Sequence, residues 1–519
     1  MNKSLAGALM VCGTTSDAGK STVVAGLCRL LARQGVLVAP FKAQNMSLNS
    51  VVTASGHEIG RAQGLQAFAA GVRPEVAMNP ILLKPTGEHT SQVVLNGSPW
   101  KVLTAAEYHA AKPELLGIVL DALAELRSRF DVVVCEGAGS PTEINLLDHD
   151  IVNLRVAHEA KIPAIIVGDI NLGGVFAALY GTVALLPDHL RSCVRGLVIN
   201  KLRGDPALLF NGCAQLEALT GVPMLGVIPW LACTGLDAED SMALDAPIVM
   251  AGQALADELD VAVLRFPRIS NFTDLDPYSV EPGVRVRYVH DRAGLGAPDL
   301  IVLPGSKATV ADLAWLRRTG LAEDIARSDA VVLGICAGYQ MMGESIDDRI
   351  ESGAGRVEAL AMLAVDTYFE FDKVTLLRAG TVDGRPVRGY QIHHGRVRPT
   401  GGEQFVVLDD EYGHGVDGVR AGAWFGTTLH GLFEADEFRR AFLAGVAEHR
   451  GKRFVSAGRS FQQARTDALD QLADALDEHL DMAAIERLIS VADSHHRTDS
   501  HHRTDSHHRP GPSTLGSTR

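Results

Sequence analysis

The chain has 519 residues and a formal charge of −14. Hydrophobic residues make up 46% and charged residues 21%, a globular balance that excludes wholesale disorder. An acidic chain lacks the basic footprint of a general nucleic-acid binder, so no nucleic-acid partner is expected and any anionic ligand must be held by a local pocket. At about 100–200 residues per domain, the length suggests three or four small domains or two large ones. Seven cysteines stand at 12, 28, 135, 193, 213, 233 and 336. Their odd number and the lack of C-x-x-C spacing argue against a disulfide framework or a zinc ribbon, and free thiols suit a reducing cytoplasm.

Residues 3–12 imitate a short signal peptide, but the run leads directly into a glycine-rich loop and reads as a first strand at 7–12. Further strands are predicted at 35–41, 131–135, 163–168, 194–199 and 224–228. Several are nearly continuous apolar runs, as parallel strands covered on both faces require. Their alternation with helical patterns predicts a doubly wound α/β domain over 1–230. Residues 170–187 carry no charge over 18 residues, the lower edge of a membrane span. Asn171, the glycines and the terminal proline favour a buried loop and helix instead, so no membrane partner is expected. Residues 231–258 are polar and acidic and read as a linker. Strands at 260–264, 299–303 and 330–335 open a second α/β domain over 259–450. Residues 451–490 form a C-terminal helical segment. In it Leu469, Leu472, Leu476 and Leu480 mark one amphipathic helix over 466–490 that packs on the body. Residues 491–519 carry a His-rich repeat and read as a disordered, solvated tail. The fold class is α/β, with two doubly wound α/β domains.

Residues Gly13-Thr14-Thr15-Ser16-Asp17-Ala18-Gly19-Lys20-Ser21 lie between a strand and a helical run at 21–33. That is the setting of a phosphate loop, where backbone N–H groups and the helix N-terminus cradle phosphates. Lys20 would reach the outer phosphates, and the Ser21 hydroxyl would bind Mg²⁺. The loop has five residues between its glycines, one more than the common motif. Glu136, in Glu136-Gly137-Ala138-Gly139 at the end of the 131–135 strand, is a second candidate Mg²⁺ ligand. Asn200-Lys201-Leu202-Arg203 lacks the Asp that a guanine-reading motif needs at 203. Asn200, at a strand end, is a candidate contact to adenine or substrate.

Residues Gly334-Ile335-Cys336-Ala337-Gly338 form a G-x-C-x-G nucleophile elbow after an apolar strand. Small residues permit the sharp turn, and the helix that follows favours the thiolate. The Ala337 N–H is a candidate oxyanion donor, with a second from the Leu303-Pro304-Gly305-Ser306 turn, represented by Gly305. The candidate base is His430, 94 residues downstream, so the pairing must be spatial. The other six cysteines default to core packing. His393 and His394, adjacent in a strand, should point to opposite faces; this makes them poor joint metal ligands and suits a structural or substrate-pocket role.

The five-residue loop resembles that of dethiobiotin synthetases, which use ATP to activate a carboxylate and whose similar E-G-A-G segment holds Mg²⁺. The elbow and histidine resemble class I glutamine amidotransferases, which release ammonia from glutamine through a glutamyl thioester. Most of that class place a glutamate two residues after the histidine, but here that position is Leu432. This departure is similar to the cobyric acid synthase branch, which works with a Cys–His pair; Glu434 is left unassigned. Over residues 5–485 the chain resembles that family in PFKAQNMS (40–47), NPILLKP (79–85), EGAGSPTEINL (136–146), NKLRGD (200–205), LPGSK (303–307), GYQIHHGR (389–396) and TLHGLFE (428–434).

The resemblance implies amidation of the b, d, e and g carboxylates of adenosylcobyrinic acid a,c-diamide in cobalamin synthesis. ATP and Mg²⁺ would be the cofactors, and glutamine and a corrinoid polycarboxylate the partners. An acyl phosphate would supply the leaving group, and a dry path would protect the ammonia. Lys42, Gln44 and Asn45, after the second strand, are candidate substrate-binding residues. Two departures stand out. Asp169-Ile170-Asn171-Leu172-Gly173-Gly174 lacks the second Asp and the Arg of the family's D-I-D-R-G-G, and Gln391 stands where Glu is usual. Cobyrinic acid a,c-diamide synthase is the nearest alternative. A partitioning-type P-loop ATPase switch is the alternative of another class, but the chain lacks that class's early loop lysine and would leave the amidotransferase motifs unexplained. A cytoplasmic location is expected. The oligomeric state stays open, a homo-oligomer among the options.

Overall fold

The computed structural model describes residues 5–87, 89–231, 257–409 and 415–490. Most of the expected linker, Cys233 and the His-rich tail lie outside the described residues.

The apolar runs of the N-terminal half become a six-stranded parallel sheet. In spatial order it is Met224–Pro229, Val194–Leu202, Ala164–Asp169, Gly7–Gly13, Val132–Glu136 and Val38–Phe41. The first strand of the chain is thus central, and its loop opens at the C-terminal edge of the sheet, where α/β folds bind ligands. The strand alternates between two cores. Ala8, Met10 and Cys12 face one, and Leu9 and Val11 face the other. Helix Lys20–Arg33 covers the second face.

The C-terminal segment returns to that same face. Leu469, Leu472, Leu476 and Leu480 pack into the core beside helix Lys20–Arg33. The single helix expected over 466–490 is two pieces, Phe461–His479 and 482–490, broken where Asp481 N–H bonds to the Leu225 carbonyl of the sheet edge. The tail end of the chain therefore completes the fold of its beginning.

Between Val38–Phe41 and Val132–Glu136 the chain builds a side layer that the apolar patterning did not foretell. It is a four-stranded sheet of Gln44–Met46, Ile81–Pro85, Thr90–Leu95 and Ser98–Thr104, a short pair Ser50–Val52 with Glu58–Gly60, and helix Arg61–Ala69. Helix Ala105–Arg129 follows, started by a capping box between Thr104 and Glu107.

The second half holds five parallel strands, Val284–Val289, Leu259–Leu264, Leu300–Leu303, Val331–Ile335 and Trp424–Thr427 in spatial order. Antiparallel strands Asp417–Ala421 and Glu403–Leu408 extend it to a long hairpin, Val365–Val382 with Arg385–Pro399. That hairpin is a mixture of exposed, partly buried and buried positions, and its Lys373 pairs with Glu58 of the N-terminal half. The uncharged run 170–187 is two left-handed glycines, Gly173 and Gly174, followed by helix Val175–Ala184. No helix among the described residues is long and apolar enough to cross a membrane.

Candidate active sites

The phosphate loop wraps the C-terminal end of Gly7–Gly13. Gly19 caps the helix with φ 96, and a Cβ there would lie 2.1 Å from Asn200 Nδ2, so only glycine fits. Asn200 Nδ2 donates to the Ala18 carbonyl at 2.9 Å. Lys201 braces the loop from outside, donating to the Asp17 carbonyl at 2.5 Å and to Asp169 at 2.8 Å. Lys20 is buried and curls over the loop, with Nζ 2.7 Å from the Thr15 carbonyl and 2.9 Å from that of Ser16.

Glu136 is the hub of the cleft. Its carboxylate accepts from Ser21 Oγ at 2.7 Å, from Lys42 Nζ at 2.7 Å and from Gln66 Nε2 at 2.6 Å. Ser21 and Glu136, paired from the sequence as metal ligands, are thus adjacent in space. The substrate candidates divide. Lys42 faces Glu136, Gln44 accepts from the Tyr108 hydroxyl at 2.5 Å, and Asn45 donates to Gln63 at 3.1 Å. All three border one cleft of about 410 Å³, together with Ser16, Lys20 and Glu136. A separate recess of about 140 Å³ runs from Gly19 and Asn200 to Trp230, floored by Leu472 and Leu476 of the C-terminal helix. Sequence patterning put that helix on the body but did not place it at this recess.

The second site is small, and its Cys336 and His430 side chains are buried. Cys336 occupies the elbow at φ 52, ψ −109, a strained conformation for any residue but glycine. A Cβ on Gly338 would come 1.8 Å from the Leu303 carbonyl, which explains the second glycine of the elbow. Ala337 lines the same cavity as Cys336 and His430, of about 40 Å³. Gly305 stands against His430, where a Cβ would sit 3.1 Å from Cε1.

His430 is held on three sides. Its backbone pairs with Tyr390, whose ring stacks on the imidazole at 5.3 Å and 23°. Its Nδ1 lies 2.7 Å from Asp274 Oδ2, and the Gly431 N–H donates to the other oxygen of Asp274 at 2.8 Å. Asp274 is the residue that sequence reasoning missed. It lies 156 residues before His430, in the 3₁₀ turn Phe272–Val280, which is anchored at its end by the buried Glu281–Arg439 pair at 2.9 Å. Leu432, where the class usually has glutamate, is instead core. Burial opposes charge on the imidazole, but Asp274 and then Cys336 outweigh it and raise His430 to about 10.

His393 and His394 both border the cavity around Cys336 despite their adjacency. Burial lowers His393 to about 3, and burial lowers His394 as well. Among the described residues no group of three or more His, Cys, Asp or Glu could hold a metal. Gln391 sits in a buried network instead, accepting from Arg378 Nε at 2.7 Å. Burial pushes the Cys12, Cys28 and Cys135 thiols up, as expected of core cysteines.

Two family models match the chain. The CobQ/CobB/MinD/ParA nucleotide binding domain spans residues 9–241, and the CobB/CobQ-like glutamine amidotransferase domain spans 260–438. The chain is 51% identical over 491 residues to a cobyric acid synthase of Rhodococcus jostii (strain RHA1), covering 93% of this chain and 95% of the relative. It is 50% identical over 511 residues to a cobyric acid synthase of Frankia casuarinae, covering 94% and 97%. A third relative, from Streptomyces avermitilis, carries the same name at 50% identity over 495 residues, covering 93% and 97%.

Proposed function

The chain belongs to the cobyric acid synthase family, and from that premise we propose that it amidates the b, d, e and g carboxylates of adenosylcobyrinic acid a,c-diamide with ATP and glutamine. The observation that carries the reading is a phosphate loop and a buried Cys336–His430–Asp274 constellation in one chain. Residues 1–230 would be the ATP-dependent amide synthase and 259–450 the glutaminase.

In this pocket the Cys336 thiolate attacks the side-chain amide carbon of glutamine. His430 gives its proton to the departing nitrogen, then takes one from the water that hydrolyses the thioester. Asp274 fixes the imidazole so that Nδ1 faces the carboxylate and Nε2 is left for the reaction. The backbone at Ala337 and Gly305 receives the developing oxyanion. In the open cleft the loop Gly13–Ser21 holds the ATP phosphates, with Lys20 turning from the loop carbonyls to the outer phosphates. A substrate carboxylate attacks the γ-phosphate and expels ADP to form an acyl phosphate; ammonia then attacks its carbonyl carbon and displaces inorganic phosphate, leaving the amide. Lys42, Gln44 and Asn45 orient that carboxylate.

Ser21 Oγ and the Glu136 carboxylate fit Mg²⁺: they are two adjacent hard oxygens, and this ion takes few protein ligands beside phosphate. Bound there, it supplies positive charge to the phosphates. Lys42, which shares Glu136, keeps that carboxylate compensated in its buried setting. The test is incubation of the purified protein with each corrinoid acid, Mg²⁺-ATP and glutamine, with new amides counted by mass. Amidation of cobyrinic acid at a and c, with none of the a,c-diamide, would transfer the chain to the other activity.

A further inference from the structure

The pocket around Cys336 holds about 40 Å³, room for a few waters and too little for a glutamine. Something at its border must therefore move when the substrate enters. Cys336 and His430 are 6% and 1% exposed, so the reacting end lies deep. Lys307 and Glu351 also border the pocket, with side chains 12% and 22% exposed, and so stand nearer the solvent. Their charged ends meet in an ion pair. Glu351 is the one carboxylate among the described residues that border the pocket. Lys84 and Lys373 border it too, but both pair with Glu58, which is buried outside it. The backbones of Lys307 and Glu351 are anchored. Lys307 ends the LPGSK segment, and its N–H donates to the Arg268 carbonyl at 2.9 Å. Glu351 sits in a loop wrapped on buried Asp348, whose carboxylate accepts from the N–H groups of Ile350, Glu351 and Ser352 at 3.0, 2.8 and 3.0 Å. Only the two long side chains need turn.

Beyond the amide that Cys336 attacks, glutamine carries an α-carboxylate and an α-ammonium. A site that tells it from other amides must meet both charges. We propose, on the glutaminase reading above, that Lys307 and Glu351 are the recognition residues for these two groups. The pair parts as glutamine enters; Lys307 takes the α-carboxylate and Glu351 the α-ammonium. Before that, Lys307 stands in for the ammonium against Glu351, and Glu351 stands in for the carboxylate against Lys307. One ion pair is exchanged for two, so neither side chain loses its compensating charge. An amide that lacks either group would part the pair and leave one of the two charges uncompensated, which selects against it. Only non-covalent contacts change.

The experiment measures ammonia release by the full-length protein from three amides: glutamine, 4-aminobutanamide, which lacks the α-carboxylate, and glutaramate, which lacks the α-ammonium. Wild-type protein should favour glutamine over each analogue about 10²-fold or more in kcat/KM. Lys307→Met should raise the glutamine KM about tenfold or more, with kcat changed less, and should not lower kcat/KM for 4-aminobutanamide. Glu351→Gln should act alike on glutamine and should spare glutaramate. General damage to the pocket would instead lower all three amides together, and that result overturns the assignment, as does an unchanged glutamine KM in both variants. An analogue turned over too slowly to follow is compared by its inhibition constant against glutamine, where the same crossed pattern is expected and a uniform weakening overturns the assignment. Should one variant lose ammonia-dependent amide synthesis as well, the other decides alone. Wild-type protein that releases no ammonia from glutamine overturns the glutaminase reading and the assignment with it.

Discussion

The two reaction sites of this chain differ in size and in how far their side chains are already arranged. The cysteine site is a small pocket of about 40 Å³ lined by Cys336 and His430, with Asp274 already set against the imidazole. The synthase cleft is about 410 Å³, and its main cation, Lys20, rests on its own loop carbonyls. The difference follows from what each must handle. Glutamine is small, so a compact and preorganised site suits it. The cleft must admit a nucleotide and a bulky polycarboxylate, so it stays open and completes its charge arrangement on binding.

The sharpest way to separate the plans is Cys336→Ala. Glutamine-dependent amide formation should fall roughly 10³–10⁶-fold while synthesis from high ammonia persists. Loss of both activities would break the two-site picture. Next is Asp274→Asn, which should lower glutaminase kcat about 10²–10⁴-fold through loss of imidazole orientation. It also lowers the His430 pKa from its raised value, so the alkaline limb of the glutaminase profile moves to lower pH. The linked stability has a definite sign. A group raised above its unfolded value of about 6.5 stabilises fully below that pH and loses the effect as pH climbs toward 10. Asp274→Asn should therefore cost more stability in denaturant titrations at pH 6 than at pH 10.

Lys20→Met tests the open site. Synthesis should drop about 10²–10³-fold with either nitrogen source, since phosphate charge loses its partner, while glutamine hydrolysis survives. Two stability changes complete the series. Leu476→Ala, in the helix that closes the nucleotide-binding half, should cost about 2–5 kcal/mol because its side chain is wholly buried. Arg29→Ala breaks the half-exposed 2.8 Å pair to Asp470 on the same helix and should cost about 0–1 kcal/mol. A large effect of the charge and a small effect of the leucine would mean that the helix is held electrostatically and not by its apolar face.

Much of this was legible in the chain itself. The buried parallel strands show as continuous apolar runs because both their faces are covered, as at 132–135 and 164–167. The Gly19-Lys20-Ser21 and Gly334-Ile335-Cys336-Ala337-Gly338 segments show because backbone sterics demand small residues beside a fixed chemical group. The side layer over 44–104 and the hairpin over 365–399 did not show. Their strands are short or alternate with exposed positions, so no apolar run marks them. Asp274 was invisible for a different reason: an acidic residue in a polar turn looks ordinary until the fold sets it 2.7 Å from a histidine.

By itself, then, the sequence determined what local geometry and composition control: the two α/β halves, the glycine-lysine-serine loop, and the glycine-flanked turn at Cys336 with His430 as its candidate partner. Only the tertiary structure decided what depends on residues far apart in the chain. It set Asp274 behind His430 and Ser21 beside Glu136. It brought the C-terminal helix back onto the first sheet. The physical reason is one of range. Sterics and hydrophobic periodicity act over a few residues and leave a pattern, whereas a buried charge pair is made by packing and leaves none.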